Sequence, residues 1–197
     1  MPVEVVNLQR KFQVDLLLFS KIAELGLASL KCSKDEVALI FINDQRMRHL
    51  NHTFRGKRKT TDVLSFSYKH ERSLKDLGSP DGEIVISLQQ ANRQAVNAEI
   101  SFFDEIVNLI IHGLCHLKGY DHEIGDREAL LMKNAERKTA VFIEKGYHQW
   151  VQNQPENPSI AIFRGTELSF KGKIPDNLVP PPPKRELKTT KRKENRN

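Results

Sequence analysis

Cysteine is almost absent from this 197-residue chain, tryptophan occurs once, and no long apolar run is present. Cys32 and Cys115 are too few and too far apart for a disulfide framework, which suits a reducing compartment. No apolar stretch approaches the roughly 18 residues that cross a bilayer, so no membrane association is expected. The start, Met1-Pro2-Val3-Glu4-Val5-Val6-Asn7, lacks both a basic segment leading an apolar core and an Arg/Ser-rich amphipathic presequence. The expected compartment is the cytoplasm. Internal repeats are also missing, which excludes solenoids and arrays.

What is present describes a globular protein: 39% hydrophobic and 28% charged residues, with a net charge of +6. The charge is uneven. Lys184 to Asn197 carries a net +5, leaving +1 for the rest, so the high pI belongs mostly to a tail that follows Pro180-Pro181-Pro182-Pro183. Such a tail reads as an extended, partly disordered arm, suited either to polyanions or to solubility.

The length suits one domain, 1–148, with a C-terminal extension, 149–197. Val3 to Asn7, Glu36 to Ile42, Val63 to Tyr68 and Glu83 to Ser87 read as strands. Helices are expected from Phe12 to Leu30, after the caps Asn43-Asp44, after the capping boxes Ser87/Gln90 and Ser101/Asp104, and from an Asp126 cap to Gly146. Leu130, Leu131, Ala135, Val141 and Phe142 form the expected apolar set of the last helix, and Ile160 to Phe163 is a candidate strand. The order β-α-β-α-β-β-α-α-α predicts an α+β fold: a small mixed four-stranded sheet packed with about five helices.

The helix opened by Ser101 carries the most specific pattern in the chain. His112 and His116, four residues apart, project from one face, and Gly119 follows where a left-handed residue ends the helix and swings His122 back beneath them. Three neutral imidazoles with a fourth position left open match a catalytic zinc site at the end of a central helix, one Zn2+ per chain. Cys115, pointing to the side, reads as a packed residue, and Asp121 as a helix-end carboxylate rather than a partner of a ligand ring. The string also resembles the long zincin motif, with Gly113 in place of its glutamate general base, so peptide hydrolysis by that route is disfavoured. A glycine inside a helix costs about 1 kcal/mol relative to alanine, which implies close approach of a substrate or another backbone.

The second informative stretch runs from Asn51 to Phe66. Arg55, Lys57, Arg58 and Lys59 lie on a glycine-containing loop that enters a strand, and their cationic groups suit phosphate oxygens. Taken together, the Arg55-Gly56 loop leading to Thr61-Asp62-Val63-Leu64-Ser65-Phe66, the Gly82-Glu83-Ile84 strand entry and His112-Gly113-x-x-His116-x-x-Gly119-x-Asp121-His122 resemble the YbeY family of bacterial endoribonucleases and rRNA maturation factors. The likeness spans about Val3 to Tyr147. Thr60 and Ser67 depart from the family's usual prolines, and Glu83 from its usual aspartate.

That resemblance implies a zinc ion on His112, His116 and His122, a single-stranded RNA substrate, action at the 3′ end of small-subunit rRNA, a part in ribosome quality control, and a functionally important Arg55. The catalytic set is then Arg55, His112 and His116, with Arg55, Lys57, Arg58 and Lys59 on the RNA. The attacking group is either a metal-activated water or the 2′-hydroxyl of the RNA. Two rival readings are an RNA-binding ribosome assembly factor with a structural zinc and a zinc hydrolase acting on peptides or small molecules.

Overall fold

A computed structural model describes residues 3–69 and 79–153. Its order is β1 (Val3–Asn7), α1 (Leu16–Ser29), β2 (Val37–Ile42), α2 (Asp44–Arg55), β3 (Val63–Ser67), β4 (Gly82–Ser87), α3 (Leu88–Ala98), α4 (Phe102–Leu117) and α5 (Asp126–Gln152). This is the α+β fold expected from the sequence, with four strands and five helices among the described residues.

The sheet order is β1-β2-β4-β3. β1, β2 and β4 are mutually parallel, and β3 joins the edge antiparallel to β4, with Ser65 opposite Ile84. Strand alternation sends Leu39, Phe41, Ile84 and Ile86 into one core beside Phe19 and Ile22 of α1 and Ile106, Ile110 and Leu114 of α4. The opposite face carries Ile42, Leu64 and Val85, covered by Met47 and Leu50 of α2. Helices α2 and α4 therefore flank the sheet from opposite sides, and edge strand β3 runs between them.

The helix starts follow the expected capping chemistry. Asn43, Ser87 and Ser101 each accept a backbone N–H from the first turn of the helix they precede. At Ser87 only half a box forms, because the Ser87 N–H donates to the Asp62 carbonyl at 2.7 Å and Gln90 accepts from Arg93 instead. Helix α1 begins later than Phe12 because Gln9 accepts the N–H groups of Lys11 and Phe12, tying that stretch into a turn, and Asp15 becomes the cap.

The last helix differs most from expectation. Gly146 does not end it: a Cβ there would stand 2.6 Å from Leu25 Cδ2, so this glycine allows α5 to press against α1 and the helix runs on to Gln152. Asp126 lies inside its first turn rather than capping it. The buried face is Met132, Ala135, Glu136, Thr139, Ile143 and Tyr147, whereas Leu130, Leu131, Val141 and Phe142 are exposed. Residues 149–152 continue this helix, while the candidate strand Ile160 to Phe163 and the basic tail lie outside the described residues. Among the described residues no single helix is long and apolar enough to cross a membrane.

Candidate metal centre

Helix α4 is held by its apolar stripe, Ile106, Leu109, Ile110 and Leu114, all buried, which leaves His112 and His116 together on its flank. The reason for Gly113 is visible between them. A Cβ at that position would stand 2.8 Å from Ile84 Cγ2 and 3.0 Å from Ile84 Cδ1, and Ile84 is fully buried. The close neighbour is thus a sheet side chain, neither a substrate nor another backbone, and the missing Cβ lets the histidine-bearing turn lie tight on β4. Three residues beyond His116 the chain reverses. Gly119 adopts φ +97, its N–H donates to the His116 carbonyl at 2.9 Å, and the Tyr120 N–H donates to the Cys115 carbonyl at 3.0 Å. That pair of bonds is a Schellman closure, which needs a left-handed residue where only glycine is unstrained. Asp121 accepts the Glu123 N–H, turning the chain again and presenting His122.

The result is convergence. One nitrogen from each of His112, His116 and His122 lies within 4.8 Å of the other two, and among the described residues no fourth His, Cys, Asp or Glu joins the set. His112 Nε2 and His116 Nε2 are 3.1 Å apart. Two nitrogens, each about 2.0–2.1 Å from one tetrahedral ion, would stand about 3.3 Å apart, so the pair fits a shared metal. The outer nitrogen of His112 is occupied, with Nδ1 2.8 Å from Glu136 Oε1, and the His116 ring interacts with the Tyr120 backbone. His122 Nε2 is buried without a hydrogen-bond partner, which is costly unless an ion or water fills the gap. Burial, reinforced by the neighbouring imidazoles and by Arg55, pushes His116 down to about 3, and burial and His112 lower His122 as well. Both rings are therefore neutral at pH 7, the state that metal ligation requires.

Arg55 lies within electrostatic reach of this group. It is the last residue of α2, half-buried, and its charge registers on His116. Burial lowers its pKa, while the carboxylates of Asp62 and Glu123 oppose that effect. Asp62 is itself fixed: it accepts from Thr61 Oγ1 and the Val63 N–H at 2.8 Å each, and from Gln94 Nε2 at 2.8 Å. Behind it lies buried Glu105, whose carboxyl is pushed up to about 7 by burial and by Asp62.

Known proteins resemble this chain. The family model for endoribonuclease YbeY fits residues 4–143. Endoribonuclease YbeY of Thermodesulfovibrio yellowstonii is 35% identical over 151 residues, covering 69% of this chain and 93% of its own. Endoribonuclease YbeY of Aquifex aeolicus is 42% identical over 121 residues, 61% of this chain and 77% of its own. The chain belongs to the YbeY family. A Thermotoga maritima protein whose structure was solved in solution shares the fold, with a TM-score of 0.52 and 23% identity, over 79% of this chain and 95% of that one.

Within this YbeY domain the four cationic residues of the loop do not act alike. Arg55 is half-buried and its charge acts on His116, whereas Arg58 is exposed and its Nε lies 3.4 Å from His52 Nε2. Lys57 follows the left-handed cap Gly56, its N–H donating to the Asn51 carbonyl, and Lys59 is exposed with its carbonyl accepting from Asn51 Nδ2. Cys115 is fully buried, in agreement with a packing role. Sequence reasoning missed Glu136, the carboxylate that orients His112. Its signal was its place among Met132, Ala135, Thr139 and Ile143, an acid on a buried helix face. Because Glu136 sits on His112 Nδ1 and not on the inward Nε2, it does not supply the base absent at Gly113.

Proposed function

We propose that the chain is a zinc-dependent, single-strand-specific endoribonuclease acting on small-subunit rRNA at its 3′ end and in ribosome quality control, in the cytoplasm. The carrying observation is the convergence of the His112, His116 and His122 nitrogens with no fourth side chain among the described residues to close the set. A structural site is closed by four protein ligands, and a catalytic one keeps a position open. That contrast favours catalysis over an assembly factor whose zinc only supports the fold. Endoribonuclease activity is what the names of the relatives state, and the rRNA target rests on the family likeness of the Arg55 loop and the histidine string.

His112, His116 and His122 would hold one zinc ion, which when bound supplies Lewis acidity at a phosphoryl oxygen or to a water. Glu136 fixes the His112 ring so that Nε2 faces inward, and the Tyr120 backbone does the same for His116. Arg55 binds the phosphate and stabilises the charge that develops on its oxygens, in a partly dry setting where such a contact is worth more than in water. Lys57, Arg58 and Lys59 contact the RNA backbone further out and set affinity more than rate.

Cleavage of single-stranded rRNA by wild type and His116→Ala, purified in parallel, tests this reading. The expected result is a loss of at least about 1,000-fold in the variant with RNA binding kept within a few-fold. Equal cleavage by both proteins would overturn the reading. The ends produced identify the attacking group: cyclic phosphates report the 2′-hydroxyl, and their absence reports water.

A further inference from the structure

Phe54 occupies an unusual position on α2. Met47 and Leu50 of the same helix pack into the outer-face cluster, but Phe54 is 45% exposed. A single exposed apolar residue is ordinary, yet this ring is held in place: Phe66 of β3 meets it edge to face, with centroids 4.9 Å apart and an interplanar angle of 62°. It is a pinned aromatic surface open to water. Its chain neighbour Arg55 is close enough for its charge to act on His116, and Lys57, Arg58 and Lys59 follow immediately after the turn at Gly56. An exposed ring next in sequence to the proposed phosphate-binding arginine, with three more cations in the following five residues, supplies the two elements by which single-stranded nucleic acids are gripped: charge along the backbone, stacking for the bases.

We infer that Phe54 is a stacking platform for one base of the RNA flanking the scissile phosphate. The inference rests on the endoribonuclease reading and deepens it by giving the substrate's bases a subsite. A base on this ring lies on the α2 side of edge strand β3 while the phosphate lies with Arg55 and the imidazoles, so the RNA crosses that edge. Only an unpaired base can reach the ring face, because a base in a duplex is already stacked on both sides. Phe54 thereby contributes to single-strand preference without reading sequence, since every base has a π face.

The test is fluorescence anisotropy of an end-labelled, single-stranded oligoribonucleotide with the full-length chain, read before cleavage proceeds and repeated over a range of salt. Phe54→Leu keeps apolar bulk over Phe66 but removes the aromatic face, and it is expected to bind about tenfold more weakly, with Phe54→Trp restoring wild-type affinity. The slope of log affinity against log salt should be unchanged in Phe54→Leu, because no phosphate contact is lost. In cleavage, KM should rise by a similar factor with kcat altered less than about twofold. Wild-type affinity in Phe54→Leu, or a shallower salt slope, overturns the stacking role while leaving the endoribonuclease reading intact if wild type cleaves. Failure of wild type itself to bind and cleave RNA overturns both.

Discussion

The segment from His112 to His122 and the segment from Arg55 to Lys59 concentrate chemistry in opposite ways. In the first, helical spacing, a left-handed glycine and a second turn bring three side chains to one point, and the inward nitrogens lie within 4.8 Å of one another. In the second, four cations within five residues diverge: half-buried Arg55 acts electrostatically on His116, and exposed Arg58 pairs with His52. Backbone geometry with a fixed period aims side chains, whereas charge density on a loop does not. A run of like charges repels itself, so each group finds its own solvent or partner.

The largest test of this contrast removes the one cation that turns inward. Arg55→Ala should lower RNA cleavage about 10²- to 10³-fold with the metal content of the protein unchanged, measured by single-turnover kinetics and elemental analysis. Loss of metal instead would mean that Arg55 supports the imidazoles rather than the phosphate.

The backing of Arg55 is tested by pH. Glu105 is buried with its pKa at about 7, above the ordinary 4.5, so its native state binds the extra proton. That contribution is fully present below pH about 4.5 and is lost as pH rises through 7, amounting to about 3 kcal/mol at alkaline pH. Glu105→Gln, always neutral, should be closer to wild type at pH 5 and more stable than wild type at pH 8.5 in urea unfolding. A difference independent of pH would exclude a titrating Glu105 as its source.

Next in size is the carboxylate that orients the His112 ring. Glu136→Ala should weaken zinc binding about 10- to 100-fold in competition with a chelator. Unaltered affinity would show that packing alone orients His112. The smallest effect is expected from the diverging cations: Lys57→Ala and Arg58→Ala should each reduce the salt slope of RNA binding by about one and lower single-turnover cleavage by less than about fivefold. A loss comparable to that of Arg55→Ala would erase the distinction between inward and outward charges.

Much of the fold was legible because it is written locally. The caps Asn43, Ser87 and Ser101, the β-rich runs and the His112, His116 and Gly119 spacing each act within a few residues. What was not legible depends on contacts between distant segments. Glu136 meets His112 only because α5 folds back along α4, and the exposed Leu130, Leu131, Val141 and Phe142 misstate that helix's buried face. The Asp62, Gln94 and Glu105 group near Arg55 likewise joins the residue before β3 to α3 and α4. Gly113 and Gly146 show the same limit, since an absent Cβ signals closeness without naming the neighbour, Ile84 in one case and Leu25 in the other.

The central claim is that His112, His116 and His122 hold one metal ion on which RNA cleavage depends. Zinc titrated into the chelator-stripped chain, with cleavage of single-stranded RNA followed at each addition, tests it most directly. Activity should be absent in the stripped chain and rise to a plateau at one equivalent per chain; full cleavage without metal, or a plateau that requires further equivalents, would contradict the account.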